Sequence, residues 1–176
     1  LTTHMKSVGE VMAIGRTFKE SLGKAVRSLE IGRYGLDEHH SKAELNDSEK
    51  KEFIKEHLLT PSWDRLWSVV DGMRTGMDID EIHEITMIDK WFLYNLKQII
   101  ELEEEIKNQS EPLIETSLLK KAKQYGISDI RLANLLNTTE ADVRNHRRKN
   151  GIHPVFKVVD TCAAEFQAYT PYLYST

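Results

Sequence analysis

A single cysteine stands among 176 residues, so the chain cannot close an internal disulfide. A lone thiol suits a reducing compartment. Apolar runs are short: none approaches the ~18 residues of a membrane-spanning helix, and no basic-then-apolar leader opens the chain. The net charge is only -4, which gives no overall electrostatic reason to expect a nucleic acid or a membrane surface as partner. Glycine is sparse where nucleotide binding would need it. Gly9 and Gly15 lie too far apart to form a phosphate-cradling loop, and nothing matches GxxxxGK[ST]. Internal repeats and low-complexity tracts are missing as well. These absences lead us to expect a cytoplasmic, globular chain without a membrane segment.

Helical punctuation is what the chain does have. Thr17 with Glu20 three residues on is a capping box. Phe18, Leu22, Ala25, Val26 and Leu29 then share one face, and Gly32 is placed to stop the helix. Polar sequence from Gly32 to Leu45 reads as a connection, which places a boundary near Leu29 and Glu30. A second helix begins at Asn46 or Asp47 with Phe53, Ile54 and Leu58 as its apolar stripe, and Thr60-Pro61-Ser62 interrupts it. A third runs from about Trp63 to Thr75, with Leu66, Val70 and Met73 inward and Gly76 at its end. Asp78 and Glu81 cap a short helix carrying Ile79, Ile82 and Ile85.

The longest helix spans roughly Ile88 to Ile106, with Phe92, Leu96, Ile99 and Ile106 in register. The acidic run from Glu101 to Glu105 forms its solvated face. Three shorter helices follow: about Ile114 to Tyr125, Ser128 to Leu136, and Thr139 to Asn150. Beyond Pro154 the pattern becomes extended. The predicted fold is all-α and multi-helix, with extended or irregular N- and C-terminal segments.

Few residues group in a way that carries chemistry. His83-Glu84-Ile85-Thr86-Met87 begins like a zinc-protease helix but has methionine where the second ligand belongs. His39 and His40 are adjacent in a polar loop and cannot both face one ion. Ala163 and Ala164 beside Cys162 predict close packing and a structural, buried thiol. Trp63, Trp67 and Trp91 read as core or interface anchors. Residues 128–151 form two short helices, the second bearing Arg144, His146, Arg147, Arg148 and Lys149. Taken alone this is a helix-turn-helix that could serve as a nucleic-acid-binding module. It reads equally as an α-hairpin with Leu132, Leu135, Leu136 and Val143 as its core.

Both ends carry long, specific wording. Pro154-Val155-Phe156-Lys157-Val158-Val159-Asp160-Thr161-Cys162-Ala163-Ala164-Glu165-Phe166, then Thr170-Pro171-Tyr172 and Tyr174-Ser175, resembles the connector in the large subunit of carbamoyl phosphate synthetase. Met5-Lys6-Ser7-Val8-Gly9-Glu10-Val11-Met12-Ala13-Ile14-Gly15-Arg16-Thr17-Phe18 resembles the stretch that closes the first ATP-grasp half of that family. The resemblance covers nearly the whole chain, more loosely from residue 36 to 64. A pattern that stops at Thr176 among spaced tyrosines is also what a piece of a larger protein would show.

The resemblance implies a division and a role. Residues 1–29 would be the C-terminal tail of the carboxyphosphate-forming ATP-grasp domain. Residues 30–176 would be the helical oligomerisation domain, including the connector to the second synthetase half. The parent ligase would make carbamoyl phosphate from glutamine-derived ammonia, bicarbonate and two ATP, for arginine and pyrimidine biosynthesis. Its ATP, with Mg or Mn, would be held outside this chain, leaving the fragment inactive alone, with no catalytic, cofactor-binding or metal residues. Implied partners are both synthetase halves, a small glutaminase subunit and a second copy of the chain. Self-association contacts are expected at Phe53, Ile54 and Leu58, although Thr60-Pro61-Ser62-Trp63 before Asp64-Arg65-Leu66-Trp67 departs from the family's more regular charged helix. Met5, Lys6, Ser7 and Glu10 would line the substrate passage of the intact enzyme, or simply be polar positions on a packed segment. Val8, Val11, Met12 and Ile14 are expected to pack on the helical body or on another copy.

Overall fold

Eight helices and one two-stranded antiparallel sheet account for the regular structure among the described residues. The structure, a computed structural model, describes residues 4, 9–38, 46–109, 114–167, 169 and 171–176. The chain divides into two compact units: Leu1–Gly35 with Glu111–Thr176, and Leu36–Ser110. The all-α class with extended ends is therefore found as expected. The units part at Gly35 and Glu111, so the first is built from both ends of the chain.

The inserted unit holds α2 (Asp47–Leu59), α3 (Arg65–Arg74), α4 (Ile79–Thr86) and α5 (Lys90–Lys107). Helix α2 packs on α3 and α4, and α5 packs on both of these as well. Ile54, Leu58, Trp67, Val70, Ile82, Leu93, Leu102 and Ile106 are buried there. Sequence chemistry sets the boundaries. Asp78 accepts from the Ile79 amide at 2.6 Å to open α4. Thr86 Oγ1 donates to the Ile82 carbonyl and accepts from the Ile88 amide, which closes α4 and turns the chain toward Asp89. Asp89 then caps α5 by accepting from the Trp91 amide.

Two details of α5 differ from the periodicity reading. Leu93 is buried where Phe92 was expected, and Phe92 is 42% exposed. Glu103, expected on the solvated acidic face, is buried instead. It faces Arg74 of α3, whose guanidinium also reaches Asp71, and that pairing is what makes a buried carboxylate tolerable.

The other unit contains α1 (Phe18–Ser28), α6 (Thr116–Gln124), α7 (Asp129–Leu136), α8 (Glu140–Lys149), β1 (Phe156–Val158) and β2 (Leu173–Ser175). The expected box at α1 is present in altered form. Thr17 Oγ1 accepts from the Glu20 amide, while the Glu20 carboxylate takes the Arg16 amide rather than that of Thr17. Ser128 and Thr139 cap α7 and α8 through their hydroxyls. Val26, Leu118, Leu119, Ala122, Ile127, Leu132 and Val143 are buried. The strands pair with Phe156 opposite Ser175 and Val158 opposite Leu173, and reciprocal bonds between Val155 and Thr176 extend the ladder.

Candidate functional site

Large apolar side chains are exposed in both units; in the inserted unit they are Leu59, Trp63, Met87, Trp91, Phe92 and Tyr94. Arg65 opens α3, and its guanidinium donates to the Leu58 carbonyl at 2.9 Å and the Thr86 carbonyl at 3.3 Å. Those hydrogen bonds draw the C-terminal ends of α2 and α4 together. The next residues along each chain segment, Leu59 and Met87, are 66% and 76% exposed. Trp63 follows Leu59 closely and lies tilted against the buried Trp67, with ring centroids 6.4 Å apart and most of its own ring in solvent. Trp91 and Phe92, edge to face at 5.0 Å, are both exposed on the first turn of α5. Large exposed apolar side chains are costly to leave in water, at about 25 cal/mol per Å² of apolar surface.

The residues expected to mediate self-association are placed differently from one another. Ile54 and Leu58 are fully buried in the structure's core. Phe53 is half-buried and stacked on His57 at a centroid distance of 3.8 Å. Of the three, only Phe53 retains surface to offer. The tryptophans divide too: Trp67 is core, whereas Trp63 and Trp91 are not. Helical spacing could not separate these roles, because the turn holding Trp63 and the capped start holding Trp91 lie at helix ends, where face periodicity says little.

The remaining expectations resolve plainly. Met5, Lys6, Ser7 and Val8 lie outside the described residues, as do His39 and His40. Glu10 is exposed, and so are Val11, Met12 and Ile14, with Met12 86% exposed. Among the described residues no group of three or more His, Cys, Asp and Glu side chains is arranged to hold a metal ion. No helix there is long and apolar enough to cross a membrane. The close packing expected around Cys162 is not found: the thiol is partly exposed, and Ala163 and Ala164 are exposed in a left-handed turn, at φ 50° and 62°. Asp160 holds that turn by accepting from the Cys162 and Ala164 amides.

The helix-turn-helix reading is not supported. Helices α7 and α8 do pack as a pair, but three of the five basic residues of α8, Arg144, His146 and Arg147, are engaged within the chain, while Arg148 and Lys149 are exposed. Arg147 donates to Asp129 at 3.1 Å and to the Ile152 carbonyl at 2.9 Å, and His146 Nε2 bonds the Ile114 carbonyl at 2.8 Å. Arg144 pairs with Glu140 one turn back.

A second concentration of charge lies under α1. Glu20 is buried, and it accepts from the Arg16 amide, from Lys24 at 2.7 Å and from Thr176 Oγ1 at 3.0 Å. Burial opposes ionisation of Glu20, but those bonds outweigh it and hold the carboxyl below its usual range. Asp129 accepts from both Lys123 and Arg147. Burial again works against the charge, and the two cations again prevail and lower its pKa. Desolvation lowers the pKa of Lys123 and of Arg27, with Asp129 offsetting part of the effect in each case.

Residues 10–151 match the family described as carbamoyl-phosphate synthetase large chain, oligomerisation domain. Over the whole chain, 49% of 176 aligned residues are identical to the carbamoyl phosphate synthase large chain of Pseudomonas aeruginosa, of which the chain covers 16%. Identity to the corresponding large chain of Thermotoga neapolitana is 51% over 177 residues, again the full chain and 15% of the relative. The N-terminal section of the large chain of Aquifex aeolicus is 49% identical, with 30% of its length covered. The chain thus spans less than a third of the length of these relatives.

Proposed function

The chain belongs to the family of carbamoyl-phosphate synthetase large-chain oligomerisation domains, and from that premise we propose that it is a non-catalytic association and spacer module. In this reading it separates the two synthetase halves of a large subunit and joins one large subunit to another. The parent would be a ligase of ATP-grasp type, working in arginine and pyrimidine biosynthesis. It would combine ammonia released by a small glutaminase subunit with bicarbonate, at the expense of two ATP bound with Mg or Mn elsewhere in the large subunit. By itself the module would be inactive and would act in the cytoplasm.

One observation carries the association role: the exposed apolar side chains of the inserted unit, with Leu59 and Met87 next to the paired ends of α2 and α4, Trp63 in the turn before α3, and Trp91 and Phe92 on the first turn of α5. A second copy of the chain is the occupant proposed for it. The family is described by oligomerisation, and exposed aromatic side chains are enriched at the centres of association surfaces. Sedimentation equilibrium of the intact large subunit tests this with Trp63→Ala and Trp91→Ala together. The double variant is expected to shift the subunit toward monomer, weakening association about thirtyfold or more, as loss of a ~2 kcal/mol anchor would. An unchanged mass distribution at every concentration would overturn the assignment.

A further inference from the structure

Four cationic side chains and one carboxylate line one cavity of the unit built from both chain ends, and a second carboxylate is bonded to two of those cations. The cavity measures about 220 Å³, and Glu20, Lys24, Arg27, Lys123, Arg147 and Thr176 are among its walls. Asp129 stands behind it, bonded to Lys123 and Arg147. Six charges of this kind leave an excess of two positive charges in a partly desolvated space.

The bonds show where that excess resides. Lys24 has spent its three donors, on the Ile14 carbonyl, Glu20 and the Ser175 carbonyl. Every nitrogen of the Arg147 guanidinium donates, two to Asp129 and one to the Ile152 carbonyl. Lys123 donates to the Ile127 carbonyl at 2.7 Å and to Asp129 at 2.8 Å, which leaves one ammonium hydrogen. Arg27 makes one hydrogen bond among the described residues, from Nη1 to the Gly126 carbonyl at 2.9 Å, so most of its guanidinium fork is uncommitted. Both groups line the same cavity, and burial already works against both charges.

We propose that Arg27 and Lys123 form a binding site for a small oxyanion of the phosphate class. A guanidinium edge beside an ammonium matches a tetrahedral oxyanion in geometry and charge. The space is adequate, since a water takes up about 30 Å³ in the liquid and the cavity would hold the ion with several waters. Two negative charges would neutralise the excess and make the charged forms of Arg27 and Lys123 favourable.

The test uses the intact large subunit, with inorganic phosphate and selenate as probes. Crystals grown with selenate should show an anomalous peak within hydrogen-bonding distance of Arg27 and Lys123, displaced by phosphate. Calorimetric titration of phosphate should lose one component in Arg27→Gln, weakened about ten- to a hundredfold, the range expected for a charge-assisted bond. Phosphate sites elsewhere in the subunit are common to both proteins and cancel in that difference. Arg27→Lys keeps the charge and should retain the component, which separates lost binding from lost folding. A carboxylate from another part of the large subunit filling the cavity would overturn the proposal. So would a selenate peak with identical phosphate titrations in wild type and Arg27→Gln, which would mark an adventitious ion only.

Discussion

Arg74 and Glu103, on α3 and α5 of the inserted unit, meet at 3.0 Å with both side chains almost completely withdrawn from water. Arg74 also reaches Asp71 at 3.3 Å and the carbonyl of Leu36, so one guanidinium ties together two helices and the segment leading into them. Breaking one side of such a pair strands the other charge in the interior, at about 3–5 kcal/mol. Glu103→Leu and Arg74→Met are each expected to lower stability by roughly that amount. The pair replaced together by Arg74→Met and Glu103→Leu should cost less than the sum, because neither charge of the pair then faces an uncharged position. Chemical denaturation of the four proteins checks this. Strict additivity would show that the two residues do not act as a unit.

The interior position of Glu103 marks a limit of what the sequence can say. Five residues from Glu101 to Glu105, four of them glutamates, look like one solvated face, because neighbours in a charge run suggest a common environment. A helix turns 100° per residue, however, so such a run must visit the buried side, and only a cation on another helix decides whether a carboxylate can stay there. Helix starts were readable because Thr17, Asp78, Ser128 and Thr139 signal locally through their own side chains. The apolar end at Trp63 and Trp91 was readable only as a choice between core and interface. The cavity between Arg27 and Lys123 gave no signal, since the two lie 96 positions apart and α1 meets the α6–α7 turn only through the fold.

That meeting rests on two glycines. A methyl group on Gly23 of α1 would stand 2.6 Å from the Gly126 carbonyl oxygen, and one on Gly126 would stand 2.8 Å from the Cα of Glu20. Gly126 also adopts φ 81°, a left-handed backbone after the end of α6 that glycine takes without steric cost. Inside a helix, Gly→Ala ordinarily stabilises by up to about 1 kcal/mol. Gly23→Ala is expected to do the reverse and destabilise by about 1–3 kcal/mol, because backbone rather than a movable side chain occupies the space. A raised thermal midpoint for Gly23→Ala would show that α1 does not sit on the Gly126 turn.

Asp129 carries a pH dependence whose direction is set by its two cations. Its carboxyl titrates lower in the folded chain than the ordinary value of about 3.9 in the unfolded one. The folded state therefore holds fewer protons at this group, and its contribution is complete well above pH 4. It fades as the pH falls below that value toward the depressed folded pKa. Asp129→Asn leaves Lys123 and Arg147 without their counter-charge and should cost about 3 kcal/mol at pH 7. The gap between wild type and variant should narrow as acid is added below about pH 4. A gap that stayed constant from pH 7 to pH 2.5 would dismiss the ion pairs as its source.

The turn at Ala163 and Ala164 is held against its own backbone preference. An alanine in the left-handed region costs about 1–2 kcal/mol, and two stand there in succession with exposed side chains. What the surroundings supply is Asp160, whose two oxygens take the Cys162 amide at 2.9 Å and the Ala164 amide at 2.8 Å. Two outcomes follow from that balance. Ala163→Gly removes the steric cost and should leave stability unchanged or raise it by up to about 1 kcal/mol. Asp160→Ala removes the restraint, and amide exchange at Cys162 and Ala164 should then quicken by about tenfold, the equivalent of one ordinary hydrogen bond. Destabilisation by Ala163→Gly, or exchange at those amides indifferent to Asp160, would mean that the turn is not the left-handed one built around that carboxylate.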